Sequence, residues 1–211
     1  MSGVADFVHV VEPAHRPRTP TLLLLHGTGA DERDLLPLGR VLAPGAALLS
    51  PRGRVDEHGM NRWFRRLREG VFDVDDVIDR AEELAAWVPV ALEHHGLAAP
   101  VVAVGFSNGA NIAAALMLLH PRLLDGAVLL GGGYPLQGRE PGAADLSGRA
   151  AFLGVGLTDP ISTPDQARLL ADHLSALGAD VELSEHPGGH QVPPAVLEGA
   201  RSWFEGRFGP H

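Results

Sequence analysis

Ser107 stands between glycines in Gly105-Phe106-Ser107-Asn108-Gly109, inside the stretch VVAVGFSNGANIAAALMLLH that runs from Val101 to His120. A serine hydroxyl is a weak nucleophile unless a base takes its proton and a carboxylate orients that base. The flanking glycines permit a turn tight enough to lift the side chain onto its tip, provided that a strand leads in and a helix leads out. Val101–Phe106 is apolar and β-rich enough for the strand, and the alanine- and leucine-rich run from Asn108 suits the helix. The positive end of that helix would lie beneath Ser107 and favour negative charge there.

In an elbow of this kind the partners follow in the order Ser, Asp or Glu, His. Of eleven histidines, His190 in EHPGGHQVPP follows the last strand and opens the last helix, the position expected of a general base. His186 is its nearest rival, at the strand end before a proline. HPGGH cannot be a helical metal pair, because Pro187, Gly188 and Gly189 break the geometry, and His211 is terminal. Asp159 in GLTDPISTP follows the preceding strand, where a turn closed by Pro160 aims it toward His190. Asp125, which comes before its strand, and Asp145, in a Gly/Pro-rich loop, are the alternatives.

Acyl transfer also needs donors for the oxyanion of the tetrahedral intermediate. The backbone N–H of Asn108 is one; that of Thr28, in the turn His26-Gly27-Thr28-Gly29 after an early strand, is expected to be the second. His26 itself reads as a brace for that turn. The segment from Ser50 to Phe72 is long and aromatic, as binding loops are. Trp63, Phe64 and Phe72 are expected to wall an apolar slot, together with Ile161 from the Asp159 turn. Arg62, Arg65, Arg66 and Arg68 are concentrated in the same loop, and Arg62 and Arg65 are taken as substrate contacts, which would suit an ester bearing a carboxylate. The competing reading makes the aromatics core and the arginines a solvated face.

These residues need a scaffold that brings strand ends together. Phe7–Val11, Thr21–Leu25, Ala46–Leu49, Val101–Phe106, Gly126–Leu130, Ala150–Val155 and Val181–Glu185 read as strands. Asp75–His94, Asn108–Leu119, Pro164–Leu177 and Pro194–Phe208 read as helices, with Pro89 expected to kink or split the first. Strands that alternate with helices and read as nearly continuous apolar runs predict an α/β fold with a mostly parallel, doubly wound sheet. Its ligand lies outside the carboxyl ends of the strands. Neither GTGADE nor GVGLTD completes a dinucleotide turn, so no cofactor is expected.

The 211 residues suit one domain over 1–211 with a single core. A formal charge of -9 disfavours nucleic acid and anionic lipid as partners. All 17 basic residues are arginine, which excludes Schiff-base lysine chemistry and a P-loop lysine, and the absence of cysteine excludes thiolate nucleophiles and thiolate metal sites. No metal is expected. The start, MSGVADFVHVVEP, lacks the pattern of a signal peptide, and no apolar run reaches membrane-spanning length. The expectation is a cytoplasmic protein acting on a small molecule, with a homodimer left open.

Taken together, LHGTGADERDL, the SPRG segment with RWFRR, GFSNGA, GLTDPISTP and GGHQVPP resemble, in order along nearly the whole chain, the carboxylesterase/phospholipase family of α/β-hydrolases, which includes acyl-protein thioesterases. The resemblance is strongest to small bacterial esterases of the quinone- and hydroquinone-resistance group. It implies a compact α/β-hydrolase fold without a large cap domain, a Ser107-His190-Asp159 triad, and Thr28 and Asn108 as oxyanion donors. Acyl-protein thioesterases usually carry glutamine after the serine, where this chain has Asn108. The implied activity is hydrolysis of small carboxylic esters through an acyl-enzyme. A thioesterase or lysophospholipase with a longer acyl slot, and a non-catalytic ligand-binding relative, are the other readings.

Overall fold

The computed structural model describes residues 6–16, 19–142 and 144–209. His211 and the first five residues of the N-terminal stretch considered above lie outside the described residues. Along the chain run β1 (His9–Glu12), β2 (Thr21–Leu25), α1 (Leu36–Leu42), β3 (Ala47–Pro51), β4 (Val55–Glu57), β5 (Met60–Arg62), β6 (Arg66–Arg68) and β7 (Val71–Phe72). They are followed by α2 (Val74–His95), β8 (Val101–Phe106), α3 (Asn108–Leu119), β9 (Gly126–Leu130), β10 (Ala150–Gly156), α4 (Pro164–Ala176), β11 (Asp180–His186) and α5 (Pro194–Phe208).

Seven strands form one sheet in the order β1-β3-β2-β8-β9-β10-β11. Only β1 is antiparallel to its neighbour; the remaining pairs are parallel. Successive side chains of a strand point to opposite faces, and the packing follows that alternation. Leu23, Leu25 and Ala103 join one apolar cluster with the inner faces of α2, α3 and α4. Leu22, Leu24, Val102 and Val104 join the other with α1 and α5. The fold is α/β, a mostly parallel sheet with helices on both faces, and β2, β8, β9, β10 and β11 all end at the same edge.

Three details differ from the sequence reading. The helix over Val74–His95 continues through Pro89 without splitting. Pro89 lies on its exposed side, so water can serve the Ala85 carbonyl that loses its helical donor. Asp73 caps this helix by accepting the Asp76 N–H, and Gly96 ends it in a left-handed conformation. The long 52–73 segment is two small hairpins, β4-β5 and β6-β7, rather than an irregular loop. A short helix, α1, also follows the Gly27–Ala30 turn.

Candidate active site

Ser107 immediately follows β8, in the middle of the sheet, with φ 55° and ψ −116°. A non-glycine residue at that φ is strained by about 1–3 kcal/mol and persists only where its surroundings enforce it. Here the two glycines enforce it by close approach. A Cβ on Gly105 would lie 2.4 Å from the Gly109 carbonyl oxygen, and one on Gly109 would lie 1.8 Å from that of Leu25. The first turn of α3 therefore rests directly on the ends of β8 and β2. The Ser107 N–H donates to the Leu130 carbonyl at 2.8 Å, which ties the turn to β9.

His190, in the turn between β11 and α5, reaches over this tip, with Nε2 at 2.8 Å from Ser107 Oγ. Its Nδ1 lies 2.7 Å from Asp159 Oδ2. Asp159 is buried after β10, and its other oxygen accepts the N–H groups of Ile161 and Ser162 at 2.8 and 3.0 Å. One carboxylate oxygen thus holds the turn while the other is left for the imidazole. The Phe106 ring lies 5.1 Å from the His190 ring. A hydroxyl bonded to an imidazole, whose far nitrogen meets a buried carboxylate, is arranged for proton removal from the hydroxyl.

The alternatives for these positions have other partners. Asp125 accepts the Val101 N–H and pairs with Arg149 at the opposite edge of the sheet. Asp145 accepts the Ser147 N–H in an exposed loop. His186, at the end of β11, accepts the Gly188 N–H and so shapes the turn that delivers His190.

Ser107 and His190 open onto a cavity of about 460 Å³, also lined by Thr28, Ala30, Asp34, Arg62, Arg66, Glu69, Phe72, Phe106, Asn108, Asn111, Ile161 and Ser162. The backbone N–H of Asn108 is the first of α3, where a helix has no internal acceptor to offer. Neither it nor the Thr28 N–H donates to a protein group among the described residues. Both residues border the cavity beside Ser107.

Of the expected substrate contacts, Arg62, Phe72 and Ile161 reach the cavity, whereas Trp63, Phe64 and Arg65 do not. Trp63 and Phe64 are 2% and 0% exposed, beneath the cavity. The Trp63 ring N–H donates to the His26 carbonyl, and its backbone N–H to Asn108 Oδ1 at 2.7 Å. Arg65 is drawn away by Asp73 and Asp76. Arg62 is buried and donates to Thr28 Oγ1 at 2.8 Å and to the Phe64 carbonyl at 3.2 Å. The segment from Asn61 to Trp63 also binds the Gly29 N–H and the Ala30 carbonyl, so β5 and its end tie the Thr28 turn to the Ser107 elbow.

His26 braces this assembly, as the sequence suggested. Its Nδ1 meets the Gly27 carbonyl at 2.7 Å and its Nε2 accepts the Gly53 N–H at 2.9 Å. Burial holds its pKa below the ordinary 6.5, against the upward pull of the Gly27 carbonyl.

Sequence reasoning missed Asn111 and Ser162. Asn111 Oδ1 accepts the Gly133 N–H at 2.8 Å, and Ser162 Oγ donates to the Gly131 carbonyl at 2.5 Å. The repeat of asparagine four residues after Ser107 was the available signal for the first. Among the described residues no three His, Asp or Glu side chains gather as metal ligands, and no helix is long and apolar enough to cross a membrane.

The sequence profile of the family described as phospholipase/carboxylesterase matches residues 7–205. The chain is 44% identical to MhqD of Bacillus subtilis, a protein to which hydrolase activity is ascribed, over 87% of this chain and 92% of that one. It is similar to the crystal structure of a Bacillus cereus carboxylesterase, with a TM-score of 0.90 and 39% identity over 94% and 93% of the two chains. A carboxylesterase from Mesorhizobium loti aligns with a TM-score of 0.83 and 34% identity, over 89% of this chain and 88% of its own.

Proposed function

The chain belongs to the phospholipase/carboxylesterase family, and on that premise we propose that it is a serine carboxylesterase that hydrolyses small esters at Ser107. The observation that carries this reading is the continuous hydrogen-bonded chain from Ser107 through His190 to Asp159 at the wall of an open cavity. His190 Nε2 takes the hydroxyl proton as Ser107 Oγ attacks the carbonyl carbon. Asp159 holds the imidazole in the tautomer with Nδ1 protonated and stabilises the imidazolium that forms. The N–H groups of Thr28 and Asn108 meet the oxyanion, a contribution of about 3–4 kcal/mol per donor.

Collapse of the intermediate expels the alcohol with the proton from His190. Water, activated by the same imidazole, then releases the acid and restores the hydroxyl. A small substrate is favoured because the cavity mixes Phe72, Phe106 and Ile161 with Asp34, Arg62, Arg66, Asn111 and Ser162. A long alkyl chain would need an unbroken apolar wall.

A fluorophosphonate probe tests the assignment. It is expected to label the wild type on Ser107 and to leave Ser107→Ala unlabelled, with hydrolysis of p-nitrophenyl acetate lost in parallel. Labelling that persists in Ser107→Ala moves the nucleophile elsewhere. A wild type that hydrolyses no activated ester makes the chain a non-catalytic relative.

A further inference from the structure

We propose that the cavity beside Ser107 selects esters that carry a second acceptor oxygen, in an ether, keto or hydroxyl group, and that the Asn111 amide recognises it. The proposal rests on the reading of Ser107 as an ester-hydrolysing nucleophile. Asn111 lies one turn along α3 from Ser107, and its N–H donates to the Ser107 carbonyl at 3.1 Å. Ser107 caps α3 in a non-helical conformation, and it is the shared cavity wall that brings the two side chains to the same space. Asn111 is only 5% exposed, yet it borders the cavity.

The orientation of its amide is settled by Gly133. The Gly133 N–H donates to Oδ1 at 2.8 Å in a buried contact, and only the oxygen end can accept that hydrogen. Nδ2 is therefore turned the other way. It donates to no protein group among the described residues, and unlike Asn108 Nδ2 it is not sealed off from solvent. The result is an NH₂ group with a fixed direction and an unfilled donor capacity, one helical turn from the nucleophile.

Before substrate binds, water can meet this donor. An ester that enters displaces that water. A purely alkyl substrate then leaves the donor unpaired, at a desolvation cost, whereas an oxygen a few atoms from the scissile carbonyl restores the bond. A charged acceptor is not required, because the donor is a neutral amide.

Two isosteric pairs of esters provide the test: ethyl methoxyacetate against ethyl butanoate on the acyl side, and 2-methoxyethyl acetate against butyl acetate on the alcohol side. The kcat/KM ratio within each pair is measured for the wild type, Asn111→Leu and Asn111→Asp, above about pH 8 so that the new carboxyl is ionised. Intrinsic reactivity and any general loss of activity cancel when a variant's ratio is divided by that of the wild type. Asn111→Asp keeps an oxygen for Gly133 but replaces the donor with an acceptor.

The expected result is a fall of at least about fivefold in the ratio of one pair, in both variants. Ratios unchanged in both pairs overturn the proposal while leaving ester hydrolysis intact. A fall in Asn111→Leu alone assigns the residue to its Gly133 contact and likewise overturns it. Hydrolysis that is absent from the wild type, or that survives Ser107→Ala, removes the underlying reading as well.

Discussion

His26 shows how a single protonation state is built into the site. It is 1% exposed, and it can accept the Gly53 N–H at Nε2 only while that nitrogen carries no proton. Burial lowers its folded pKa below 6.5, so between that lowered value and 6.5 the unfolded chain binds a proton that the folded chain refuses. The stability from neutral His26 is thus complete above about 6.5 and is lost as pH falls through that window. Thermal melts near pH 7.5 and near pH 5.5 are expected to differ by less in His26→Gln than in the wild type. For a chain of this size the difference in slope should amount to roughly 2–4 °C per kcal/mol of linked stability. Equal slopes would place the acid sensitivity at other groups.

Among the elements, the elbow and the hairpins were unequally legible. The bounds of α3 and α5 matched the sequence reading because a glycine turn opens one and a proline opens the other. The triad candidates were legible because each follows its own strand, β8, β10 or β11. The β4-β5 and β6-β7 hairpins were not, since strands of two or three residues are too short to show a period of two. Nor could the sequence show that Trp63 is buried rather than part of the cavity wall, because its partners His26 and Asn108 are 37 and 45 residues away. Contacts also separate glycines that look alike in sequence. Gly109→Ala drives a Cβ to within 1.8 Å of a backbone oxygen, a clash of fixed atoms that is expected to cost more than about 4 kcal/mol. Gly206→Ala, on the exposed side of α5 with nothing within 4 Å of the new Cβ, is expected to stabilise by about 0.5–1 kcal/mol. Urea denaturation of the two variants checks both signs.

At the scale of the whole molecule, charge bears on which esters arrive. The chain carries a net charge of -9, and the arginines at the cavity are already matched. Arg66 is paired with Glu57 and Glu69, and Arg62 lies 3.7 Å from Glu57. Asp34 and Glu69 line the same opening. An approaching carboxylate therefore meets a negative field with little local compensation, and the arginine-rich segment serves first to hold its own hairpins and the Thr28 turn. The repulsion is long-range and should fade as the Debye length contracts to about 8 Å at physiological salt. Monoethyl succinate is accordingly expected to show a lower kcat/KM than diethyl succinate at about 20 mM salt, with the gap narrowing by about 300 mM while the neutral diester stays flat. A gap that widens with salt would mean that the arginines do attract anions. A gap that ignores salt would trace the discrimination to contacts inside the cavity, where the free donor of Asn111 is met equally well by an uncharged oxygen.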